Sequence, residues 1–523
     1  MVWYLNPEPK FFGPTDQPLQ SMLKICFVTS ELAPLAKVGG LADVSQALPL
    51  ALAKLGHDVR VIVPYYRDFQ TAAEQNYIRH GSFIKLEFGR HSYSFQALES
   101  EFPGREEKSQ RPQLHLVDCP ELFDRPTIYG DSNEEHLRFL MLSRSAIEIC
   151  QRMQWSPDIF HVNDWQTAML PLFLKTVYGW DRLFDSSRTV LTIHNIGHQG
   201  IFSADILNDL NLGGAETLLH QQDLVEGKIN FLKTGLLYSD VLTAVSPTYA
   251  REIQTADYGM GLEHVLAARS SLLQGIVNGI DTDVWNPATD ELITAQFSAA
   301  DRSGKTHNKA SLLETMGLEP NPAAPVLGIV SRLTYQKGFE TLYEALPILL
   351  AENDLRLIVL GSGEKQYVDF FSELQRQFSD KVAFREGFDD RLAHQIEAGS
   401  DIFLMPSRYE PCGLNQMYSQ AYGTIPVVRN TGGLADTVEQ YDKTTGQGTG
   451  ILFDDFTSQG VLWGVRRALQ LYTDPEHWDQ IVRNAMSQDF SWNRSALQYA
   501  GLFERLSQLS LKDADAEKKS SRI

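Results

Sequence analysis

The sequence predicts an α/β protein that contains two successive units, each with a parallel sheet. Short apolar runs typical of buried strands alternate with stretches of helical periodicity along most of the chain. Strands that alternate with helices form βαβ units, which build parallel sheets. The alternation restarts after about residue 290, and 523 residues exceed the length of an ordinary single domain. Two α/β units therefore follow from the pattern and the length together.

The first unit opens with a strand, a glycine loop, a helix and a second strand. The opening strand is expected at 24–30, and apolar residues at helical spacing predict a helix from Leu41 onward. Gly56 is a typical C-terminal stop, whereas Pro49 predicts a kink or a break inside the helix. Further strands are expected at 59–63, 159–162, 190–194 and 241–245.

The second unit repeats this alternation. Its strands are expected at 326–330, 357–360, 402–405 and 426–428. The segment between Pro287 and Pro325 is rich in Ala, Asp and Asn, which predicts the junction between the units. One word, Gly-Gly-Leu-Ala-Asp, occurs at 39–43 and again at 432–436. Because both copies follow a strand and open a helix, we expect one glycine loop per sheet, facing a shared cleft.

Composition excludes several classes of protein. A formal net charge of −20 argues against nucleic-acid binding, which relies on clustered Lys and Arg. The four cysteines are widely spaced and form no CxxC pair, so we expect no disulfide framework or zinc site and a reducing compartment. No apolar run approaches the ~20 residues of a membrane helix, and the N-terminus lacks signal-peptide features. We therefore expect a cytoplasmic protein without membrane contact.

Two groups of residues suit a phosphate or pyrophosphate. A glycine pair at a helix start lets backbone N–H groups approach an anion, and Lys37 adds a mobile cation two residues before Gly39. A single glycine pair serves equally well as a tight turn, but the second copy favours the anion. Arg332 and Lys337 follow a strand, at the sheet edge where α/β proteins bind ligands, and suit a leaving diphosphate.

Other strand ends suit a sugar. Glu410 follows the buried run that ends at Pro406, where it can accept hydrogen bonds. The words at 161–165 and 194–198, with Tyr129, place aromatic rings beside polar side chains, which match the apolar faces and hydroxyl edges of sugars. The spacing of two histidines in 194–198 also fits a metal pair, but no acid stands near them.

Two nucleotide-binding patterns are incomplete. Gly361 and Gly363 begin a dinucleotide fingerprint, but its third glycine position is Gln366. Lys305 lies in a word that resembles the end of a P-loop, whose leading glycine position is Ala299. The sequence therefore supports neither an NAD enzyme nor an ATPase.

Taken together, these motifs resemble those of the bacterial glycogen synthase and plant starch synthase family, glycosyltransferase family five. The matching words are Lys37-Val38-Gly39-Gly40-Leu41, His161-Val162-Asn163-Asp164-Trp165, His194-Asn195-Ile196, Val277-Asn278-Gly279-Ile280-Asp281, Ser331-Arg332-Leu333, Gln336-Lys337-Gly338, Glu410-Pro411-Cys412-Gly413-Leu414 and Thr431-Gly432-Gly433-Leu434. They occur in the family's order and span roughly residues 22 to 510.

The resemblance implies a GT-B fold, in which two Rossmann-like domains with parallel sheets face a deep interdomain cleft. It implies transfer of glucose from ADP-glucose to the non-reducing end of an α-1,4-glucan, with retention at the anomeric carbon. ADP-glucose and the glucan are then the partners, and no metal or other cofactor is expected. Oligomeric state and the choice between glycogen and starch as product stay open.

The resemblance also implies roles for individual residues. Arg332 and Lys337 hold the pyrophosphate, and Glu410 orients the donor glucose. His194 lies beside the reacting carbon, and Asp164 completes the set expected to take part in catalysis. The expected donor-binding residues are Lys37, Gly39, Gly40, Asn278, Ser331, Phe388, Tyr418, Thr431, Gly432, Gly433 and Leu434. The expected acceptor-binding residues are Glu31, Tyr129, Asp164, Trp165 and Asn195.

Two positions depart from related patterns. Related retaining transferases often carry a second glutamate eight residues after the first, where this chain has Tyr418. This departure weakens any mechanism that needs a carboxylate pair. Phe388 occupies the position that resembles an adenine-stacking tyrosine, so stacking is expected without a phenol hydrogen bond.

The resemblance divides the chain into an N-terminal extension at 1–21, a first domain at 22–285 and a second at 286–485. A helical segment at 486–510 is expected to cross back to the first domain, followed by a disordered tail at 511–523. Two other functions stay open: a GT-B transferase with another donor or acceptor, such as UDP-glucose and a small sugar, and a catalytically silent glucan-binding protein. The intact set of Lys37, Arg332, Lys337 and Glu410 argues against the silent protein.

Overall fold

The computed structural model describes residues 21–67, 77–104, 107, 110–130, 132 and 134–520, with backbone alone at His80 and 509–520. These residues form two compact units. The first unit comprises the described parts of Met1–Val245, Ala250–Ile276 and Trp492–Ile523, and the second comprises Ser246–Tyr249 and Val277–Ser491. The boundary after Ile276 lies upstream of the expected one at 285, and the expected extension at 1–21 falls almost wholly outside the described residues.

A nine-stranded sheet organises the first unit. Up to residue 275 the strands are β1 (Lys24–Val28), β2 (Asp58–Pro64), β3 (Ile78–Phe88), β4 (His91–Glu101), β5 (Gln113–Asp118), β6 (Ile159–Asn163), β7 (Arg188–Ile193), β8 (Ile201–Ser203), β9 (Lys228–Asn230), β10 (Val241–Ala244) and β11 (Leu273–Gly275). The spatial order of the sheet is β11-β10-β7-β6-β1-β2-β5-β4-β3. Its neighbours are parallel from β11 to β5, whereas β3 and β4 are antiparallel additions that the sequence did not indicate. β8 and β9 form a separate antiparallel ribbon.

Helices alternate with the parallel strands of this sheet along the chain, the connection that a parallel sheet requires. Up to residue 268 they are α1 (Gly40–Lys54), α2 (Pro120–Phe123), α3 (Glu135–Arg152), α4 (Asp164–Thr167), α5 (Leu170–Lys175), α6 (Gln221–Val225), α7 (Phe231–Tyr238), α8 (Pro247–Glu252) and α9 (Glu263–Ala268). Of the two outcomes predicted at Pro49, a kink or a break, the break is wrong, because α1 continues through this residue. Burial of Leu48 and Leu52 on either side of the proline holds the helix together despite the lost hydrogen bond. Gly56 ends the helix region at φ +93°, as predicted.

The second unit contains a six-stranded sheet that is parallel throughout. Its strands are β12 (Val326–Val330), β13 (Arg356–Gly361), β14 (Val382–Glu386), β15 (Ile402–Met405), β16 (Ile425–Arg429) and β17 (Ile451–Phe453), in the order β14-β13-β12-β15-β16-β17. Its helices are α10 (Ser303–Thr315), α11 (Leu342–Glu352), α12 (Lys365–Gln377), α13 (Asp390–Gly399), α14 (Asn415–Ala421), α15 (Gly432–Thr437), α16 (Ser458–Tyr472) and α17 (Pro475–Met486). The loops after β12, β15 and β16 meet at one edge because these strands are neighbours.

The expected junction between Pro287 and Pro325 is part of the second unit. Lys305, from the incomplete P-loop word, is inserted into this unit, where Nζ donates to Thr424 Oγ1 at 2.7 Å and to the Tyr422 carbonyl at 3.0 Å. Burial lowers the pKa of Lys305 to about 8. Lys305 therefore has a structural role: it attaches this segment to the rest of the second unit and does not bind a phosphate.

The last helix, α18 (Trp492–Ser520), belongs to the first unit. Its residues Trp492, Tyr499 and Phe503 are buried in the same core as β1. The helix continues past residue 510, into the segment that the sequence assigned to a disordered tail. Within the described residues, none of the helices combines the length and apolar composition that crossing a membrane requires.

Candidate active site

Asp164 and His194 are brought together at the ends of the neighbouring strands β6 and β7. The Asp164 carboxylate accepts hydrogen bonds from the backbone N–H of His194 at 2.7 Å and of Asn195 at 3.4 Å. Asp164 itself has φ +53°, a left-handed conformation that is strained for a residue with a side chain. Such strain is concentrated at functional sites, where the surrounding structure holds it in place.

A buried amide fixes the tautomer of the His194 ring. Asn163 Nδ2 donates to the Val28 carbonyl at 3.0 Å, so Asn163 Oδ1 is an acceptor for His194 Nε2 at 2.9 Å. Burial lowers the pKa of His194 to about 3, and the imidazole is therefore neutral at physiological pH. With the proton on Nε2, Nδ1 is left as a hydrogen-bond acceptor.

Burial has the opposite effect on the neighbouring carboxyl group. It raises the pKa of Asp164 to about 7, against the lowering effect of the backbone N–H donors. The carboxyl group thus titrates near neutral pH, beside a ring that does not. Such a perturbed group at a strand end is typical of a functional site.

Glu31 ties the first glycine loop to Tyr129. Glu31 Oε2 accepts from the N–H groups of Val38 at 2.8 Å and Gly39 at 3.0 Å. The Tyr129 hydroxyl donates to Glu31 Oε1 at 2.6 Å. Burial, with the Glu31 charge as a second cause, raises the pKa of Tyr129 well above its ordinary value, which keeps the phenol protonated. Two expected acceptor residues are therefore joined directly.

The loop that Glu31 holds leaves its glycine open. A Cβ at Gly39 would have no neighbouring atom within 4 Å. The helix that starts at Gly40 has no side-chain cap at its N-terminus. Lys37 is exposed and pairs with Asp43 at 2.7 Å. The space for an anion is present, and the Lys37 ammonium has further N–H donors beside the one on Asp43.

Trp165 and Asn195 make contacts inside the first unit and are also partly exposed. The indole of Trp165 packs edge-on against Phe139 at 4.8 Å between ring centroids. A Cβ at Gly200 would lie 2.2 Å from Trp165 Cε3, so the indole needs a glycine there. Asn195 Oδ1 accepts from the Gly197 N–H at 3.0 Å. Both residues are only partly buried.

In the second unit, Lys337 and Glu410 form an ion pair. Lys337 Nζ lies 2.6 Å from Glu410 Oε2, which also accepts from Ser407 Oγ at 3.0 Å. The two residues follow β12 and β15, which are neighbours in the sheet. Gly338 makes the approach possible: it has φ +70°, and a Cβ there would lie 2.2 Å from the Pro406 carbonyl oxygen.

Arg332 is exposed at the start of the same loop. The loop is fixed to the end of β13, since the Leu333 N–H donates to the Ser362 carbonyl at 2.8 Å. A Cβ at Gly361 would lie 2.2 Å from the Ser331 carbonyl oxygen. The segment that resembles a dinucleotide-binding motif thus packs against the loop that carries Ser331 and Arg332. This close packing explains why the segment contains glycines.

The second glycine loop differs from the first in being closely packed. The Gly433 N–H donates to the Glu410 carbonyl at 2.9 Å. A Cβ at Gly433 would lie 2.1 Å from the Cys412 carbonyl oxygen. Thr431 and Leu434 are fully buried, and Gly432 has φ +46°. This loop therefore fixes the backbone that carries Glu410.

Three other expected donor residues have distinct surroundings. Phe388 follows β14 and is 85% exposed, which leaves both ring faces accessible. Asn278 is buried, yet its Oδ1 has no hydrogen-bond partner among the described residues. Tyr418 lies on α14, and its ring stacks on Trp285 with 3.8 Å between centroids.

No sequence pattern indicated the group of residues that supports Tyr418. Trp285 also stacks on His394, again with 3.8 Å between ring centroids. His394 Nδ1 lies 2.8 Å from Asp290 Oδ2, which accepts from the Tyr422 hydroxyl at 2.6 Å. These residues come from distant parts of the chain, so no local pattern marks them. Asn163 and Ser407, which orient His194 and Glu410, were also missed. Asn163 is 31 residues from His194, whereas Ser407 is only 3 residues before Glu410, in a loop whose conformation the sequence does not reveal.

No cluster of three or more His, Cys, Asp or Glu that could hold a metal ion is found in the described part of the chain. His198, the second histidine of the 194–198 word, is exposed. The cations at the candidate site are instead Lys337 and Arg332, both beside the Glu410 loop.

Two α/β units with parallel sheets, one of them carrying these cations at its carboxyl edge, match the architecture of the GT-B glycosyltransferases, and a solved structure assigns the chain to this class. The solved catalytic domain of starch synthase IV from Arabidopsis thaliana, bound to ADP and acarbose, superimposes with a TM-score of 0.85 at 35% identity, covering 93% of this chain and all of that one. A sucrose-phosphate synthase from Thermosynechococcus elongatus shares the fold, with a TM-score of 0.56 at 16% identity and coverage of 92% of this chain and 98% of that one.

Comparison with related sequences supports the same class of enzyme. The starch synthase catalytic domain family matches residues 24–268, and the group 1 glycosyl transferases match 317–486. Glycogen synthase of Koribacter versatilis is 44% identical over 491 residues, covering 93% of this chain and 99% of the relative. Glycogen synthase of Thermotoga maritima is 42% identical over 491 residues, covering 92% and 99%. The chain belongs to the glycogen and starch synthase family and is a glycosyltransferase of glycogen or starch synthesis.

Proposed function

We propose that the protein transfers glucose from ADP-glucose to the non-reducing end of an α-1,4-glucan, with retention at the anomeric carbon. The observation that carries this proposal is the ion pair of Lys337 and Glu410 beside the Arg332 loop. The Arabidopsis relative, which binds ADP and acarbose, supports the same pair of ligands for this chain. The free and buried state of all four cysteines supports action in the cytoplasm.

The two cations act on the leaving ADP. Lys337 carries three N–H donors, of which one points to Glu410, so further donors can meet phosphate oxygens. Arg332 is exposed and presents a planar fork that suits a diphosphate. Fixed cations of this kind stabilise charge that develops on a leaving group, and no divalent metal is then required. We propose that the reaction proceeds without one.

Glu410, the acidic member of the ion pair, binds the glucose of the donor. Its Oε2 is occupied by Lys337 and Ser407, which leaves Oε1 to accept from a sugar hydroxyl. The unpaired Oδ1 of buried Asn278 is a second acceptor that a donor hydroxyl would satisfy. Phe388 offers an open ring face for the adenine, without the hydroxyl of a tyrosine. Ser331 and the 431–434 loop follow β12 and β16 at the same sheet edge, and Tyr418 lies on α14, the helix after the Glu410 loop.

The first unit supplies groups that suit the glucose and the acceptor. Neutral His194 presents Nδ1 as an acceptor for a sugar hydroxyl, and its tautomer is fixed by Asn163. The Asp164 carboxylate holds the backbone N–H groups of His194 and Asn195, while Trp165 presents part of an indole to a sugar face. Glu31 and Tyr129 form a second polar group, and Glu31 also accepts from the N–H groups of the loop that contains Lys37, Gly39 and Gly40, the proposed phosphate ligands of this unit.

A donor comparison tests this function. Purified protein is given glycogen with labelled ADP-glucose or labelled UDP-glucose, in buffer that contains EDTA. We expect incorporation into polymer from ADP-glucose, with a much lower kcat/KM for UDP-glucose. A preference for UDP-glucose, or an activity that EDTA abolishes and manganese restores, would contradict the proposal. Glycogen binding with no transfer from either donor would instead indicate a silent glucan-binding protein.

A further inference from the structure

A groove on the second unit lies apart from the residues assigned to the candidate active site. It has a volume of about 770 Å³ and is formed by α16 and the segment that includes Asp442. The side chains that α16 contributes include Gln459, Trp463, Arg466, Arg467 and Gln470. We call it the Trp463 groove.

The residues of α16 in this groove form one stripe. Positions 459, 463, 466 or 467, and 470 are spaced by three or four residues, so they lie on one face of the helix. At a rise of 1.5 Å per residue the stripe is about 16 Å long. Its ends carry the exposed amides of Gln459 and Gln470, and its centre carries Trp463. The shape suits an extended chain better than a compact ligand.

The Trp463 side chain is not part of the hydrophobic core of its own unit. Its side chain is 53% exposed, and it makes no ring contact or hydrogen bond with any residue that the structure describes. The opposite face of α16, which includes Val461, Val465 and Ala468, is fully buried and accounts for the docking of the helix. A large flat apolar surface is therefore left facing solvent beside polar groups.

The charges around Trp463 are balanced. Arg466 pairs with Glu352 at 2.8 Å. Hydrogen bonds from Thr444, and in addition the positive charge of Arg467, lower the pKa of Asp442, so this carboxylate and the guanidinium lie within electrostatic range of each other. Since each arginine has an acidic neighbour, the groove favours a neutral ligand over a phosphate.

We propose that the Trp463 groove binds a linear α-1,4-glucan segment, as a second glucan site outside the candidate active site. An indole face with amide and guanidinium groups along one line matches the apolar faces and hydroxyl edges of successive glucose residues. The inference rests on the proposed function, because the ligand is the acceptor of that function. Polymer held at this site raises the effective concentration of chain ends, whereas a short acceptor gains nothing.

The variant Trp463→Ala in the full chain tests this site, with Trp180→Ala as the matched control. Trp180 is 71% exposed but belongs to the first unit. We expect Trp463→Ala to raise the Kd for glycogen in affinity electrophoresis about tenfold, and the KM for glycogen similarly. The kcat/KM for maltotriose stays unchanged, Trp180→Ala behaves like wild type, and Trp463→Phe recovers part of the binding.

Three results overturn the site. The first applies when the wild type transfers glucose: Trp463→Ala then has the same Kd and the same KM for glycogen as the wild type. Another is a change of molecular mass in light scattering, which would make the groove an interface between copies. The third is loss of binding of ADP or inorganic phosphate in Trp463→Ala. A wild type that transfers no glucose, but whose glycogen binding depends on Trp463, contradicts the proposed function and supports the groove.

Discussion

Lys337 Nζ and Glu410 Oε2 lie 2.6 Å apart, at the ends of two strands that are neighbours in space but separated along the chain by β13 and β14. The carboxylate of Glu410 is almost fully buried, and the lysine is mostly so. Each charge is thus balanced by the other in a poorly solvated place. The same lysine is proposed to meet the leaving diphosphate, so the pair has a structural and a chemical role that experiment can separate.

The variants Lys337→Met and Glu410→Gln, alone and combined, make this separation. Lys337→Met leaves the Glu410 carboxylate without its cation, so the free energy of unfolding falls by about 3 kcal/mol. The double variant carries no buried charge and regains most of this loss. Its kcat stays at least about 100-fold below wild type, because a stabiliser of leaving-group charge is missing. Urea denaturation and steady-state kinetics measure the two effects, and recovery of kcat in the double variant would make the pair purely structural.

Arg332→Ala is expected to impair chemistry without affecting stability. The side chain is exposed, so its removal changes the free energy of unfolding little. If Arg332 acts on the leaving ADP, kcat falls about 100- to 1000-fold while the Kd for glycogen is unchanged. Lys365→Ala is the matched control, since Lys365 is also exposed and pairs with Asp369 on the same helix. Wild-type kcat in Arg332→Ala would remove this residue from the mechanism.

The two glycine loops are expected to respond differently to the same substitution. In Gly39→Ala the new methyl group meets open space, so the thermal midpoint changes little, but the KM for ADP-glucose rises if a phosphate approaches there. In Gly433→Ala the methyl group would collide with the Cys412 backbone, and the free energy of unfolding falls by about 1–3 kcal/mol or more. Differential scanning calorimetry and donor titration check both. A Gly39→Ala enzyme with unchanged donor kinetics would show that no phosphate approaches this loop.

These loops show what the sequence can and cannot provide. Both Gly-Gly-Leu-Ala-Asp words follow a strand and open a helix, as predicted, because that pattern is local. The sequence could not show that Gly433 is packed against Cys412 while Gly39 is open, since the difference depends on distant backbone. Likewise Lys337 and Glu410 were each placed at a strand end, but their contact depends on β12 and β15 being neighbours, an order that the sequence does not contain.

Stability at acid pH depends on buried histidine. Burial, and additionally His194, lowers the pKa of fully buried His161 from 6.5 to about 3. A histidine with a lowered pKa contributes stability above pH 6.5, and this stability is lost as the pH falls towards the lowered value. We expect His161→Phe, which keeps the aromatic contacts with Phe27 and Phe503, to lose stability less steeply below pH 6.5 than wild type. The difference approaches about 1.4 kcal/mol per pH unit in urea denaturation.

Equal pH slopes in wild type and His161→Phe would mean that His161 is protonated in the folded protein. The variant leaves Thr192 with a partner, because its hydroxyl also bonds Thr243 at 2.6 Å. A general loss of stability at all pH values would therefore report packing, whereas only a change of slope reports the histidine.

The most direct test of the central claim is the linkage formed on a defined acceptor. Maltoheptaose and ADP-glucose are incubated with the purified enzyme in EDTA, and proton NMR follows the anomeric signals. We expect new α-1,4 signals to grow in step with ADP release and the chain to lengthen at its non-reducing end. Lys337→Met is expected to slow both the signal growth and the ADP release equally. A β-linked product, release of free glucose without chain extension, or no reaction with ADP-glucose would contradict the central claim.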